Sequence, residues 1–355
     1  RADVVISKGG QFYRFVTKNP FRGFLASYMA FYTVLLCIRL RRRVAFVSHT
    51  FGPFNNSGSR CVAKYVLNKA CYVGCREGIS HEILLKLGVE PTKLDVIPDT
   101  AFALLPAGNP WLEEFMKKKG ISPGRYAVVI AKNWSFDEHK ADQRGVLHDR
   151  YIKLMARVSD YLGMKAESVL LMVHNDGKHS PCEDDAVPVH GIVANMELKD
   201  KAIVVNDDLS AQEQCILYGH AQIVIATRLH AAIFALIGGA PCVAISYSHK
   251  TEGIMQMLGL RRYVIDIATF DYTETIGLIE DVRSNWKNLR EPVSERIEGF
   301  TMQLRSTVRS LLPLPRSLAH KERHTPMPAR PLASVKASPC TDRAERVGSS
   351  DITTP

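Results

Sequence analysis

Short β-branched runs recur along most of this 355-residue chain, each parted from the next by a helical segment of about ten residues or more. That alternation admits few folds. Strands that return in one direction through helical crossovers build a parallel sheet covered by helices on both faces. Strands are predicted at 3–7, 44–48, 72–75 and 94–97, then at 126–131, 168–173, 202–206, 222–226 and 242–246. Helices are predicted at 22–39, 59–70, 79–87, 146–163, 210–219, 229–237 and 251–258. The series breaks once, where Leu105-Pro106-Ala107-Gly108-Asn109-Pro110 leads to a short charged helix, Gly120 and Ser122-Pro123-Gly124. The expected fold class is therefore α/β, with two Rossmann-like doubly wound domains at 1–120 and 125–290 facing a central cleft. A helix at 291–312 is expected to pack back across them. Because the chain opens inside a strand without a methionine, the natural start of the first domain is expected upstream.

Composition narrows the partners. The 46 Lys and Arg against 36 Asp and Glu give a net charge of +10, which favours anionic small molecules, acidic glycans or lipid headgroups. No RRM, KH or zinc-finger pattern is present, so nucleic acid is not an expected partner. Eight cysteines are scattered without a CxxC, and Cys37 and Cys242 sit in apolar runs. Such thiols read as free, and the expected location is cytoplasmic. From Pro313 the last 43 residues hold 7 of the 18 prolines and a small basic surplus. A disordered tail is expected at 313–355, with peripheral contact to anionic lipid at the inner face of the membrane as a further expectation. One stretch, Gly23 to Ile38, is uncharged over 16 residues and is followed by Arg39, Arg41, Arg42 and Arg43. It falls short of the roughly 20 residues that cross a bilayer and lies between two predicted strands, so it reads as a buried crossover helix.

Ligands of open α/β sheets bind beyond the carboxyl ends of the strands, so the residues that follow each strand are the candidates. They are Lys8-Gly9-Gly10-Gln11, His49-Thr50-Phe51-Gly52-Pro53, Arg76-Glu77, Asp99, His174-Asn175-Asp176, Thr227-Arg228-Leu229-His230, and Tyr247 with His249 and Lys250. Thr227 is the expected N-cap of a helix with Arg228 and His230 in its first turn. Free N–H groups there favour an anion, and a guanidinium adds a bidentate donor for phosphate or carboxylate. The plainer alternative is that Arg228 pairs a carboxylate across an interface while His230 caps. Gly9-Gly10 lets backbone approach a ligand closely, although any βα turn can carry two glycines. Arg76 precedes a helix for which Ser80 is the expected cap. Glu183-Asp184-Asp185 and Asp207-Asp208 read equally well as solvated loop charge. No zinc, paired-carboxylate, Ser-His-Asp or Walker pattern emerges, and no metal is expected.

Taken in order, Asp3-Val-Val-Ile-Ser-Lys-Gly-Gly-Gln11, Gly52-Pro53-Phe54, Arg76 with Ser80, Asp99-Thr-Ala-Phe102, Arg228-Leu-His-Ala-Ala-Ile233 and Gly239-Ala-Pro-Cys-Val-Ala-Ile-Ser-Tyr247 with Lys250 resemble the polysaccharide pyruvyl transferase family over about residues 3–262. The resemblance implies a GT-B-like pair of domains. It implies transfer of pyruvate from phosphoenolpyruvate onto two hydroxyls of a glycan or lipid-linked saccharide, as a cyclic ketal, with no cofactor beyond that donor. On this reading Arg228, Leu229, Arg76, Lys250, Gly9, Gly10, His49 and Tyr247 bind substrate. His230 is the general acid, and His174, His49 or Asp99 is the base for the sugar hydroxyl. Two other functions suit the same architecture: a glycosyltransferase using a nucleotide sugar, and a catalytically silent glycan- or anion-binding module.

Overall fold

The computed structural model describes residues 3–10, 12–106, 110–136, 140–175, 177 and 183–312, so the expectations for Gln11, Asp176 and the tail at 313–355 lie outside the described residues. Four strands, β1 (Val4–Lys8), β3 (Arg43–His49), β5 (Tyr72–Cys75) and β6 (Leu94–Val96), form a parallel sheet in the order β1-β3-β5-β6. Val44 to His49 is buried at every position, as expected of a strand covered on both faces. A second, two-stranded ribbon pairs β2 (Tyr13–Phe15) with β4 (Phe51–Phe54), immediately after β1 and β3.

Six further strands make the second sheet: β7 (Tyr126–Ile130), β8 (Ser168–Met172), β9 (Ala202–Val205), β10 (Val224–Ala226), β11 (Cys242–Ser246) and β12 (Val264–Asp266). All pair in parallel, in the order β12-β11-β10-β7-β8-β9. The chain enters at β7, winds outward through β8 and β9, then returns to the other side of β7 at β10. Strand order reverses between β7 and β10, and that is where a doubly wound sheet opens a crevice. The fold is thus two Rossmann-like α/β lobes. Helices α3 (Ser57–Lys69), α4 (Gly78–Leu87), α5 (Pro110–Lys119), α6 (Ala141–Lys165), α7 (Ala186–Asn195), α8 (Ala211–Gly219), α9 (Leu229–Gly238) and α10 (His249–Met257) connect them.

Three expectations are corrected. The strands β2, β4 and β12 and helix α7 were not predicted; the strands are three or four residues long, too short to show a period. The helix expected at 291–312 is the second half of one helix, α11 (Tyr272–Leu311), which contains Pro292. Its first half holds the second lobe through Trp286 Nε1 donating to Gly239 O at 2.9 Å. Its second half reaches the first lobe, where Thr301 Oγ1 donates to Phe102 O at 2.6 Å and Gln303 Nε2 to Val96 O at 2.7 Å.

The third correction concerns the apolar stretch before the arginines. It is not a buried crossover helix but two helices, α1 (Pro20–Ala30) and α2 (Tyr32–Arg39), bent by 64° at Phe31. In α1 only Gly23 and Ser27 are buried. A Cβ on Gly23 would collide with Asn56, the cap that opens α3, and one on Gly58 would collide with Pro20 O. Small residues face the lobe and large ones face outward, the reverse of a core helix. No single helix among the described residues is long and apolar enough to cross a membrane.

Helices α8 and α9 touch backbone to backbone, where the last residue of α9, Gly238, meets Gly219. A Cβ on Gly219 would lie 2.5 Å from Gly238 O, and one on Gly238 would overlap Cys215 O. Gly238→Ala is expected to destabilise the protein by about 2 kcal/mol or more, because neither backbone can yield. Urea unfolding, comparing midpoints at unchanged slope, measures it.

Candidate active site

The carboxyl ends of the two sheets meet, and the first lobe brings Arg76 to the junction. Arg76 follows β5 and is only 4% exposed. Its Nη1 donates to Asp99 Oδ2 at 2.7 Å, while Nε and Nη2 donate to Thr50 Oγ1 at 2.9 and 2.6 Å. Asp99 is fixed in turn as the cap of a 3-10 turn, accepting from Ala101 N at 2.9 Å. The same Oδ2 lies 3.7 Å from His230 Nε2 of the second lobe. Burial by itself would raise the Asp99 carboxyl; His230 and the Arg76 guanidinium outweigh it and hold the group well below the usual carboxylate range. Asp99 is therefore an anchor for the Arg76 guanidinium with the His230 imidazole beside it, which argues against the expected role as a base.

The second lobe contributes from β7, β8, β10 and β11. Arg228, not Thr227, is the N-cap of α9, and it makes no side-chain capping bond. Its Nε donates to Asp185 Oδ2 at 2.8 Å and its Nη2 to Asp185 Oδ1 at 2.7 Å, a bidentate pair. Asp185 is fully buried rather than solvated loop charge, and also accepts from Asn133 N at 3.2 Å and Asn175 N at 3.1 Å. Thr227 points the other way, into a buried hydrogen bond of 2.9 Å with Tyr151 OH. His230, two residues on, has a side chain 52% exposed. It follows that the first turn of α9 presents its imidazole outward while its guanidinium is clamped.

Lys132 was missed by the sequence reading, yet it directly follows β7 at the point of strand reversal and is 4% exposed. Burial and the nearby Arg228 lower its pKa. Its Nζ stands 5.5 Å from the centre of the Tyr247 ring, and Lys250 Nζ stands 4.9 Å from the same ring, so the aromatic face offsets two ammonium groups. Burial, with Arg76, Lys132, Arg228 and Arg14 around it, pushes Lys250 down to about 7. Glu77, beside Arg76 at the end of β5, has a structural role as well. It, not Ser80, caps α4, accepting from Ser80 N at 2.8 Å, and its Oε1 lies 3.9 Å from His249 Nε2.

The predicted set therefore divides. Arg76, Asp99, His174, Arg228, His230, Tyr247 and Lys250 converge at the junction; burial, Arg228 and His230 push His174 down to about 3. His49 is not open to the junction, contrary to its expected role as a substrate ligand or base. It is fully buried between the rings of Tyr13, Phe46 and Phe51, with Nε2 3.0 Å from Ser7 Oγ, and burial pushes it down to about 4. Leu229 is buried in the core, so its side chain cannot reach a ligand. Gly9 has a packing reason, since its Cβ would overlap Ser48 O, and Gly10 O accepts from Thr50 N at 3.1 Å, bracing the threonine that holds Arg76.

Several buried polar atoms here have no hydrogen-bond partner among the described residues: His174 Nδ1 after β8, and Ser248 Oγ, His249 Nε2 and Thr251 Oγ1 after β11. Buried groups are normally satisfied, so their grouping at strand ends marks a place for a polar ligand. No group of three or more His, Cys, Asp or Glu among the described residues is arranged to hold a metal.

Residues 1–249 match a family described as "Polysaccharide pyruvyl transferase". The amylovoran biosynthesis protein AmsJ of Erwinia amylovora is 27% identical over 304 residues, which is 83% of this chain and 69% of the relative. Among solved structures, the UDP-GlcNAc 2-epimerase of Methanocaldococcus jannaschii is similar with a TM-score of 0.51 at 15% identity, over 84% of this chain and 77% of that one. Alr3699/HepE of Anabaena, solved with UDP-glucose, has a TM-score of 0.52 at 13% identity, over 87% and 79%. At these identities the structures share the fold, the GT-B-like pairing of two Rossmann-like lobes.

The buried His49 gives the first lobe a pH dependence of definite sign. Its folded pKa of about 4 lies below the ordinary 6.5, so on acidification the unfolded chain takes up the proton first. Stability is full above the ordinary value and is lost as pH falls toward about 4, by roughly 1.4 kcal/mol per pH unit from this residue. Urea unfolding at pH 7 and pH 5 is expected to show that slope reduced by this amount in His49→Gln.

Proposed function

The chain belongs to the polysaccharide pyruvyl transferase family, and from that we propose that it transfers pyruvate from phosphoenolpyruvate to two hydroxyls of a sugar, forming a cyclic ketal and releasing phosphate. The observation that carries this reading is the crowding of Arg76, Lys132, Arg228 and Lys250 at one junction, where burial and then the neighbouring cations push Lys250 down to about 7. A compact trianion relieves that crowding. Phosphoenolpyruvate has a carboxylate at one end and a phosphate at the other, and arginines held by carboxylates present their remaining N–H groups in fixed directions.

In the proposed sequence, His230 gives a proton to the methylene carbon of the donor, and the adjacent carbon becomes oxocarbenium-like. A first sugar hydroxyl adds there and loses its proton. The C–O bond to phosphate then breaks, and the second hydroxyl closes the ketal. Two hydroxyl protons are released overall; one is matched by the new methyl C–H bond and one leaves with phosphate. Asp99 holds the imidazole in position from 3.7 Å, acting as a positioning residue. Lys132, Arg228 and Lys250 stabilise charge gathering on the leaving phosphate. The acceptor is a sugar of a cell-surface polysaccharide or its lipid-linked precursor, a reading supported by the family's description and by the name of the AmsJ relative. The reaction is placed in the cytoplasm, where phosphoenolpyruvate is made.

Phosphate release from phosphoenolpyruvate with galactoside or N-acetylmannosamine acceptors tests this. His230→Ala is expected to lower kcat by about a hundredfold or more with a smaller change in KM; equal rates would remove His230 from the mechanism. Thermal stabilisation by UDP but not by phosphoenolpyruvate would instead select a nucleotide-sugar transferase. A second outcome follows from Lys250, which is cationic below about 7 and neutral above it. The KM for the donor is expected to rise between pH 7 and pH 8.5 in the wild type and to stay level in Lys250→Arg, whose charge does not titrate.

A further inference from the structure

Helices α1 and α2 leave a continuous apolar stripe unpaired. Phe21, Leu25, Met29, Tyr32, Leu36 and Leu40 recur every three or four residues and are all exposed, Phe21 at 74%, Met29 at 63% and Leu40 at 59%. The opposite face, with Gly23, Ser27, Phe31 and Val34, is packed on the lobe. The stripe is flanked by cations at both ends. Exposed Lys18 and Arg22 stand at its start, and Arg39, Arg41, Arg42 and Arg43 at its finish. None of these six pairs with a carboxylate among the described residues. The imbalance extends further: from Val4 to Arg76 the chain has 12 Lys and Arg and no Asp or Glu.

We propose that the outer face of α1 and α2 is a membrane-interface element that seats the first lobe on a bilayer containing anionic phospholipid. An amphipathic pair with an apolar stripe and cationic ends fits headgroup chemistry, because aliphatic and aromatic side chains enter the acyl boundary while arginines stay with phosphates. The anionic surface answers a segment from which acidic residues are absent. A spanning role does not fit. Eleven and eight residues give helices of about 16 and 12 Å, joined at 64°, against a hydrocarbon core of about 30 Å, and one face of each is already committed to the lobe. The packed face of α1 is pinned where Gly23 meets Asn56, the residue that opens α3, which leaves the outer face of the helix pair free to meet a surface.

Sedimentation of the full chain with vesicles tests the proposal, using phosphatidylcholine alone and phosphatidylcholine with one-quarter phosphatidylglycerol at about 0.1 M salt. Binding to the anionic vesicles is expected to exceed binding to the neutral ones by about tenfold or more. Leu25→Glu with Met29→Glu is expected to lower it by a further tenfold or more, and Arg41→Gln with Arg42→Gln by about fivefold per arginine. Leu25, Met29 and Arg41 are exposed and Arg42 is half-buried at the surface, so thermal midpoints are expected to stay level; should the helix variant unfold, the arginine variant decides alone. Equal pelleting of the wild type and the arginine variant overturns the proposal. So does a wild type that binds neither vesicle but forms a dimer in solution that Leu25→Glu with Met29→Glu dissolves, which would assign the face to a second copy. Retention on vesicles through an alkaline carbonate wash would overturn it in favour of insertion across the bilayer.

Discussion

Two buried arginine–carboxylate pairs face each other across the junction of the two sheets, and the rest of the site is arranged around them. Arg76 leans on Asp99 and Thr50, and Arg228 grips Asp185 with both arms of its guanidinium. Each carboxylate is pinned by backbone: Asp99 by the 3-10 turn it caps, Asp185 by the N–H groups of Asn133 and Asn175. Pairs buried this deeply add little net stability, since desolvation offsets most of their attraction. Their value is positional. They hold two guanidinium groups still beside two lysines, Lys132 and Lys250, whose pKa values burial and the neighbouring cations lower.

The fold makes that placement possible. Strand order reverses between β7 and β10, so Lys132 and Arg228 leave neighbouring strands at one crevice. The first lobe brings Arg76 and Asp99 from β5 and from the segment after β6. Helix α11 spans both lobes, and Phe300 packs on Phe102, three residues beyond Asp99, at 5.2 Å. The lobes are thus in contact at the chemistry itself, through Asp99 with His230 and Glu77 with His249.

The long-period features of this fold are legible in the chain. Nine strands fall where β-branched runs place them, because a strand covered on both faces needs an unbroken apolar run. The Arg228-x-His230 turn stands out for the same reason, as a polar pair set against an otherwise apolar helix. What escapes is long-range. Asp185 looks like one of three solvated acids until the fold buries it beneath Arg228. Lys132 carries no local mark; only knowing that β7 and β10 are neighbours would have singled it out. His49 fails in the opposite sense, since a polar residue at a strand end proves to be a wedge between aromatic rings. The stretch from Gly23 to Ile38 misleads because its apolar content resembles a core helix, whereas the positions of Gly23 and Ser27 show which face is inside.

The central claim is that the cation cluster is poised for a small trianion and takes up charge when it binds one. Titration calorimetry of phosphoenolpyruvate at pH 8, repeated in two buffers of different ionisation enthalpy, measures that directly. Lys250, down at about 7 in the free protein, is largely neutral there, and an arriving trianion restores its proton. The expected result is binding coupled to uptake approaching about one proton, and uptake near zero in Lys250→Arg. Binding without proton uptake in the wild type, or no binding at all, would contradict it.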